Sequence, residues 1–299
     1  MPSGTDSSAL YPAPAPIARE PRRVGYRVMP PSRPDILAIA VGNTRTRLGL
    51  FHGGHLHQPV SVPSADAEAI VELLRDRVVP DKRPVAVVIA SVNPPAADAL
   101  DAAIGRLGPR DLVRGVYRVG PDLPIPLQAA VDDDREVGHD RLLNALGAFT
   151  RARQACVVID AGTAVTVDFV DGRGVFQGGA IGPGVSMMLE SLARGAAALP
   201  EVAFDAGESV DQAFGTSTRK AMLLGVRACA VGMVHLLVDR YAQFYGGYPQ
   251  IVATGGDAPA LFENDSIVEH LVPDLQLIGI HETCVSALKD PDEDDPAGA

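Results

Sequence analysis

Residues 157–168 read Val157-Val158-Ile159-Asp160-Ala161-Gly162-Thr163-Ala164-Val165-Thr166-Val167-Asp168, and this order leaves the backbone few options. The short apolar run 157–159 is a buried strand by pattern. An acid, a glycine and a hydroxyl follow, then a second β-branched run, so the chain reverses in a hairpin. Gly162 lets a ligand approach the backbone closely, and the neighbouring N–H groups and the Thr163 hydroxyl can donate to phosphate. Asp160, at the mouth of the strand, can hold a cation or orient a water. An ordinary hairpin with Asp-Ala-Gly at its turn is equally compatible with this stretch taken alone.

A second unit of the same kind lies about 120 residues earlier, at Ile36-Leu37-Ala38-Ile39-Ala40-Val41-Gly42-Asn43-Thr44-Arg45-Thr46-Arg47-Leu48-Gly49-Leu50. Again an apolar strand runs into a small turn with Gly and Thr and returns as a strand. Two such units predict two similar half-domains facing each other across a cleft, each offering a phosphate-binding hairpin. A third glycine cluster, Thr254-Gly255-Gly256-Asp257, follows the strand-like Gln250-Ile251-Val252. The arrangement resembles the superfamily of acetate and sugar kinases, Hsp70 and actin. The resemblance implies an α/β fold of two ribonuclease H-like domains with a nucleotide cleft between them.

Composition agrees with an α/β protein. The chain has 299 residues, 46% hydrophobic, with no Trp, so its core is mainly aliphatic. The net charge of −11 disfavours non-specific nucleic-acid binding. Cys156, Cys229 and Cys284 lie in apolar surroundings without metal or disulfide spacing, which predicts buried reduced thiols. No apolar run reaches the ~18 residues of a membrane span, and the N-terminus has no apolar signal-peptide core. The expectation is a cytoplasmic protein with no membrane partner.

Along the chain, residues 1–34 carry eight prolines and few core formers and read as a disordered extension. A first domain is expected over 35–150 and a second over 151–288, followed by an acidic disordered tail at 289–299. His52, His55 and His57 cluster without an acid or cysteine, a poor metal set. Residues 65–78 have helical spacing. A buried strand over 84–89 delivers Ser91 and Asn93 to its C-terminal end, where they contact a ligand or cap the helix at 96–107. Residues 115–136 read as irregular. Val137-Gly138-His139-Asp140-Arg141 opens a helix. Asp140 there complements the helix dipole or acts as a general base, with Arg141 clamping a carboxylate. Residues 178–184 read as a glycine loop before a helix at 185–192. Thr218 caps a long apolar helix over 219–241 or contacts substrate, and His235 on that helix is a core or interface residue.

The segments Val41-Gly42-Asn43-Thr44, Ser91-Val92-Asn93-Pro94, Gly138-His139-Asp140-Arg141, Asp160-Ala161-Gly162-Thr163, Gly178–Gly184, Ala198-Leu199-Pro200 and Thr254-Gly255-Gly256 occur in this order. Together they resemble the type III pantothenate kinases, a family that includes Bvg accessory factors, from about Ile36 to Leu288. The resemblance implies ATP-dependent phosphorylation of pantothenate, the first step toward coenzyme A, by a homodimer that requires Mg2+ and a monovalent cation, K+ or NH4+. It further implies an ATP site at Ala40, Val41, Gly42, Asn43, Thr44, Arg45, Thr46 and Arg47 with Thr163. Asp160 would hold the monovalent cation, Asp140 would be the proton acceptor, and Gly138, His139, Asp140, Arg141 and Thr218 would hold pantothenate.

Three positions depart from the family pattern. Ala40 stands where an aspartate that directs magnesium is expected. Val131 replaces a substrate-contacting tyrosine, and Ala196-Ala197-Ala198 replaces a segment carrying a threonine. Losing one preorganised charge-stabilising group costs on the order of 10²–10³ in rate. An alternative expectation is therefore a catalytically impaired, nucleotide-binding regulatory relative.

Overall fold

The computed structural model describes residues 35–64, 66–78, 85–105, 113–205 and 213–288. The proline-rich extension at 1–34 and the acidic tail at 289–299 lie outside the described residues.

Two sheets are built on one plan. In the first, β1 (Asp35–Val41), β2 (Arg45–His52) and β3 (His55–Pro63) form an antiparallel meander, and β4 (Val85–Ser91) and β5 (Val113–Arg118) add in parallel on the other side of β1. The order is β3-β2-β1-β4-β5. In the second, β7 (Cys156–Ala161), β8 (Ala164–Val170) and β9 (Val175–Pro183) form the meander, and β10 (Gln250–Thr254) and β11 (His270–Leu271) add in parallel beside β7. The order β11-β10-β7-β8-β9 repeats the first sheet, and β6 (Gln128–Ala129) extends the β9 edge. The central strands β1, β4, β7 and β10 are near-continuous aliphatic runs because helices cover both faces.

The helices are α1 (Ala67–Val78), α2 (Pro94–Ile104), α3 (His139–Ala152), α4 (Val185–Gly195), α5 (Thr218–Tyr245), α6 (Ala258–Phe262) and α7 (Leu275–Ala287). The last helix returns to the first sheet: Leu277, Ile278, Ile280 and Cys284 of α7 share a core with Ile36, Ala38 and Ala40 of β1. Helix α3 serves both sheets. Leu143 joins that core, whereas Leu142, Ala145 and Ala148 pack with Val158 and Phe176 of the second sheet. α3 and α7 cross at bare backbone. A Cβ on Gly147 would lie 2.7 Å from the Leu275 carbonyl, and one on Gly279 would overlap the Leu143 carbonyl. This close crossing ties the two halves together beside the cleft.

Four local expectations are corrected. Residues 113–118, expected to be partly irregular, form edge strand β5, which pairs in parallel with β4. The glycine run 178–182 lies within β9 rather than in a loop, because Gly179 faces Asp168 on β8 and leaves room for its carboxylate. Cys156 and Cys284 are buried, but Cys229 is exposed on α5. Finally, α5 has 28 residues and is long and apolar enough to cross a membrane by length and composition. Arg227 interrupts its apolar run, and one charge does not remove that character. Here it is a packing helix, burying Met222, Leu223, Val226, Ala230, Val234 and Val238 against the second sheet.

Candidate active site

The two hairpin turns meet. Thr44 Oγ1 lies 3.0 Å from Thr163 Oγ1, although 119 residues separate them. Each turn is closed by its glycine: Gly42 N–H donates to the Arg45 carbonyl at 3.0 Å and Gly162 N–H to the Ala164 carbonyl at 2.9 Å. Asn43 and Thr44 are exposed. Such a pair of turns, with little side chain and two exposed hydroxyls bonded to each other, is a cradle for phosphate oxygens.

The turns are braced differently. Ser64, which sequence reasoning missed, donates its hydroxyl to the Gly42 carbonyl at 2.8 Å and its N–H to the Thr44 carbonyl at 3.0 Å. It also bonds the buried Thr46 hydroxyl at 3.0 Å, so Thr46 holds the hairpin together from inside. The second turn is backed by glycines. Gly184 N–H donates to the Thr163 carbonyl at 3.1 Å, and a Cβ at Gly184 would overlap the carbonyls of Gly162 and Thr163. A Cβ at Gly255, whose φ is +98°, would overlap the Ala161 carbonyl and Asp160 Oδ1.

Beside the turns lies a group of carboxylates. Asp140 stands in the first turn of α3 and accepts from the Arg141 N–H at 2.9 Å. Gly138, the N-cap, has an ordinary negative φ of −56°; its use is space, since a Cβ there would strike Asp140 Oδ1. Asp160, at the end of β7, accepts from Asn144 Nδ2 at 2.8 Å. Burial pushes its carboxyl up to about 6, with the charges of Asp140 and Asp168 adding and the Asn144 bond opposing. Asp168, 1% exposed on β8, takes the Nε edge of Arg141 at 3.0 Å and also bonds its Nη2. The Arg141 guanidinium lies 5.5 Å from the Phe176 ring centroid. Burial raises Asp168 and the Arg141 pair pulls it back.

Sequence reasoning missed Asn144 and Asp168 as site residues. Asn144 stands four residues after Asp140 on a helix, so it shares its face, a signal present in the spacing. Asp168 was within the quoted stretch, but its pairing with Arg141 is a tertiary fact.

The other candidate residues fall as follows. Ala40 and Val41 are buried at the end of β1. The Arg45 guanidinium donates to the hydroxyl and the carbonyl of Ser61, and Arg47 forms a 2.6 Å ion pair with Asp274 at the start of α7. His139 packs its ring on Gly120, at φ +94°. Thr218 is the first residue of α5, and the cap is Ser217, which accepts from Lys220 N–H at 3.3 Å. Asn93 caps α2, and Ser91 accepts from Asn93 N–H at 2.9 Å. His52 bonds Asp35 at 2.8 Å, and His235 bonds Asp265 at 2.8 Å. Among the described residues no group of three or more His, Cys, Asp or Glu is placed to hold a metal ion.

Two halves built on one sheet plan, whose glycine–threonine turns meet, make up the two-domain α/β fold that the sequence resemblance implies. Within it the chain belongs to the type III pantothenate kinase family, whose family model matches residues 36–240. A protein of Anaeromyxobacter dehalogenans strain 2CP-C named type III pantothenate kinase is 37% identical over 233 residues, 76% of this chain and 89% of that protein. One of the same name from Syntrophotalea carbinolica is 32% identical over 252 residues, 82% of this chain and 96% of its own length. The fold is shared with a Campylobacter jejuni protein described as a Baf family transcriptional activator, at TM-score 0.53 and 18% identity, covering 84% of this chain and 98% of the other.

Proposed function

We propose that the cleft transfers the γ-phosphoryl group of ATP to the primary hydroxyl of pantothenate, giving 4′-phosphopantothenate. The observation that carries this reading is the meeting of Thr44 and Thr163 beside the carboxylates of α3 and β7. Phosphoryl transfer asks a protein for positioning and charge neutralisation more than for covalent chemistry.

In this reading the turn 40–47 and Thr163 hold the phosphates. Ala40, Val41 and Thr46 contribute through backbone and hairpin shape, since their side chains are buried. Asp140 takes the proton of the attacking hydroxyl. Gly138, His139, Arg141 and Thr218 hold pantothenate. Because Asp168 uses Nε and Nη2 of Arg141, the Nη1 amine is the edge offered to the substrate carboxylate. Asp160 suits a monovalent cation: it is one carboxylate, and its Oδ1 has no hydrogen bond among the described residues. Magnesium supplies charge neutralisation at the phosphates when bound; with Ala40 offering no donor, phosphate oxygens and water would make up its shell. Leu236, Phe244 and Tyr245 on α5, with Tyr248 just beyond, are exposed large apolar residues that a second copy of the chain would cover. The place of work is the cytoplasm, with pantothenate and a second copy of the chain as partners and neither nucleic acid nor membrane.

The test is phosphorylation of pantothenate by the purified chain with ATP and Mg2+, with and without K+, beside Ala40→Asp. Potassium-dependent turnover by the wild type supports the reading and means Ala40 is tolerated. Turnover in neither protein overturns it. Turnover only in Ala40→Asp would mean a kinase disabled at one carboxylate.

A further inference from the structure

Asn144 is the one buried side chain among the described residues with an orphaned polar atom. It is 2% exposed, its Nδ2 donates to Asp160 Oδ2 at 2.8 Å, and its Oδ1 has no partner. A buried amide with half its capacity unused is a poor filler. An apolar side chain there would leave no unsatisfied acceptor. Its presence points to the half that is used, the bond to Asp160.

We propose that Asn144 is a positioning residue that fixes the Asp160 carboxylate toward the cleft and links it to the helix turn carrying Asp140. This rests on the pantothenate kinase reading above and adds to it a residue that touches neither nucleotide nor substrate.

Three features support the assignment. Asp140 and Asn144 stand at i and i+4 on α3, so one helix face presents the carboxylate in its first turn and the amide one turn later. The two oxygens of Asp160 are treated differently: Oδ2 is tied by Asn144, and Oδ1 is left unbonded against the Cβ-less Gly255. A carboxylate held by one oxygen has a defined rotamer and presents the other oxygen in a fixed direction. Finally, α3 is itself held firmly by its glycine crossing with α7, so the amide is anchored on a rigid element.

The experiment compares the wild type with Asn144→Leu and Asn144→Ala. Residues that orient a cation ligand typically change cation affinity roughly 10–100-fold. The half-saturating K+ concentration is expected to rise by that factor in both variants, while the KM for pantothenate moves less than about threefold. A crystal structure of either variant is expected to show the Asp160 carboxylate rotated from its wild-type position. A half-saturating K+ concentration within about twofold of wild type in a folded variant, or an unmoved Asp160 carboxylate, overturns the proposal. If neither the wild type nor Ala40→Asp phosphorylates pantothenate, the underlying reading fails by that result alone, and the Asp160 rotamer in the crystal still decides the role of Asn144.

Discussion

The halves of this protein differ most where they match best. Ala40 and Asp160 occupy the same place in the duplicated plan: each is the last residue but one in the first strand of its meander, two residues before the turn glycine. Ala40 pairs with Arg47 on the antiparallel side and Ala90 on the parallel side; Asp160 pairs with Thr166 and Thr254. Yet Ala40 is 2% exposed in an aliphatic core, and Asp160 is a carboxylate with an amide partner and two glycines against its turn. One half has kept the shape of the turn without its charge. The other retains both, and the carboxylates Asp140, Asp160 and Asp168 all gather on that side. The duplication preserves backbone geometry, and the chemistry is distributed unevenly over it.

The largest expected effect breaks the charged side directly. Asp140→Asn keeps the size of the side chain and leaves an oxygen to accept from Arg141 N–H. The fold should therefore survive, as circular dichroism and melting would show, while kcat falls by about 10²–10⁴. Wild-type turnover in this variant would remove Asp140 from the role of base.

Asp160→Asn sharpens the comparison through pH. The Asp160 carboxyl is raised to about 6 from 3.8 by burial and like charge. Between those values the folded chain binds more protons than the unfolded chain. Stability therefore falls as pH rises through that window, and the full penalty is present above it. In buffer free of nucleotide and potassium, the amide should stabilise the protein at pH 7.5 by an amount on the order of 2 kcal/mol and leave it unchanged near pH 3.5. Denaturant melts at the two pH values measure this. An equal effect at both would mean that the charge of Asp160 is not what costs stability.

Much of the fold was legible because its signal is local. The aliphatic runs of β1, β4, β7 and β10, and the repeated turn, carry the duplicated plan in the sequence itself. Strand β5 was obscured because an edge strand with alternating Arg114 and Arg118 lacks such a run, and β9 because glycines that make room for neighbours look like a loop. The site was legible where chemistry is concentrated in one segment, as at Gly138–Arg141 and Asp160–Thr163. It was hidden where distant residues act on one another. Ser64 under the first turn, Asp168 on Arg141 and Asp274 on Arg47 are separated from their partners by loops and whole elements, and nothing in their immediate neighbours marks them.

Two further variants test how each turn is supported. Ser64→Ala removes the hydroxyl that donates to the Gly42 carbonyl and bonds Thr46, leaving the buried Thr46 hydroxyl without that partner. A loss of about 1–2 kcal/mol is expected. Gly255→Ala acts on the other turn by intrusion: the new methyl meets the Ala161 carbonyl and Asp160 Oδ1 at a backbone φ of +98°, which L side chains avoid. Its cost should be larger, about 2–3 kcal/mol, because strain and overlap add. The two variants should also differ in kind. Ser64→Ala loosens a turn that carries no carboxylate, so it should raise the KM for ATP a few-fold with kcat nearly unchanged. Gly255→Ala displaces the Asp160 carboxylate, so it should lower kcat as well. Equal kinetic effects from the two would mean that the turns share the chemical work after all, despite the missing carboxylate at position 40.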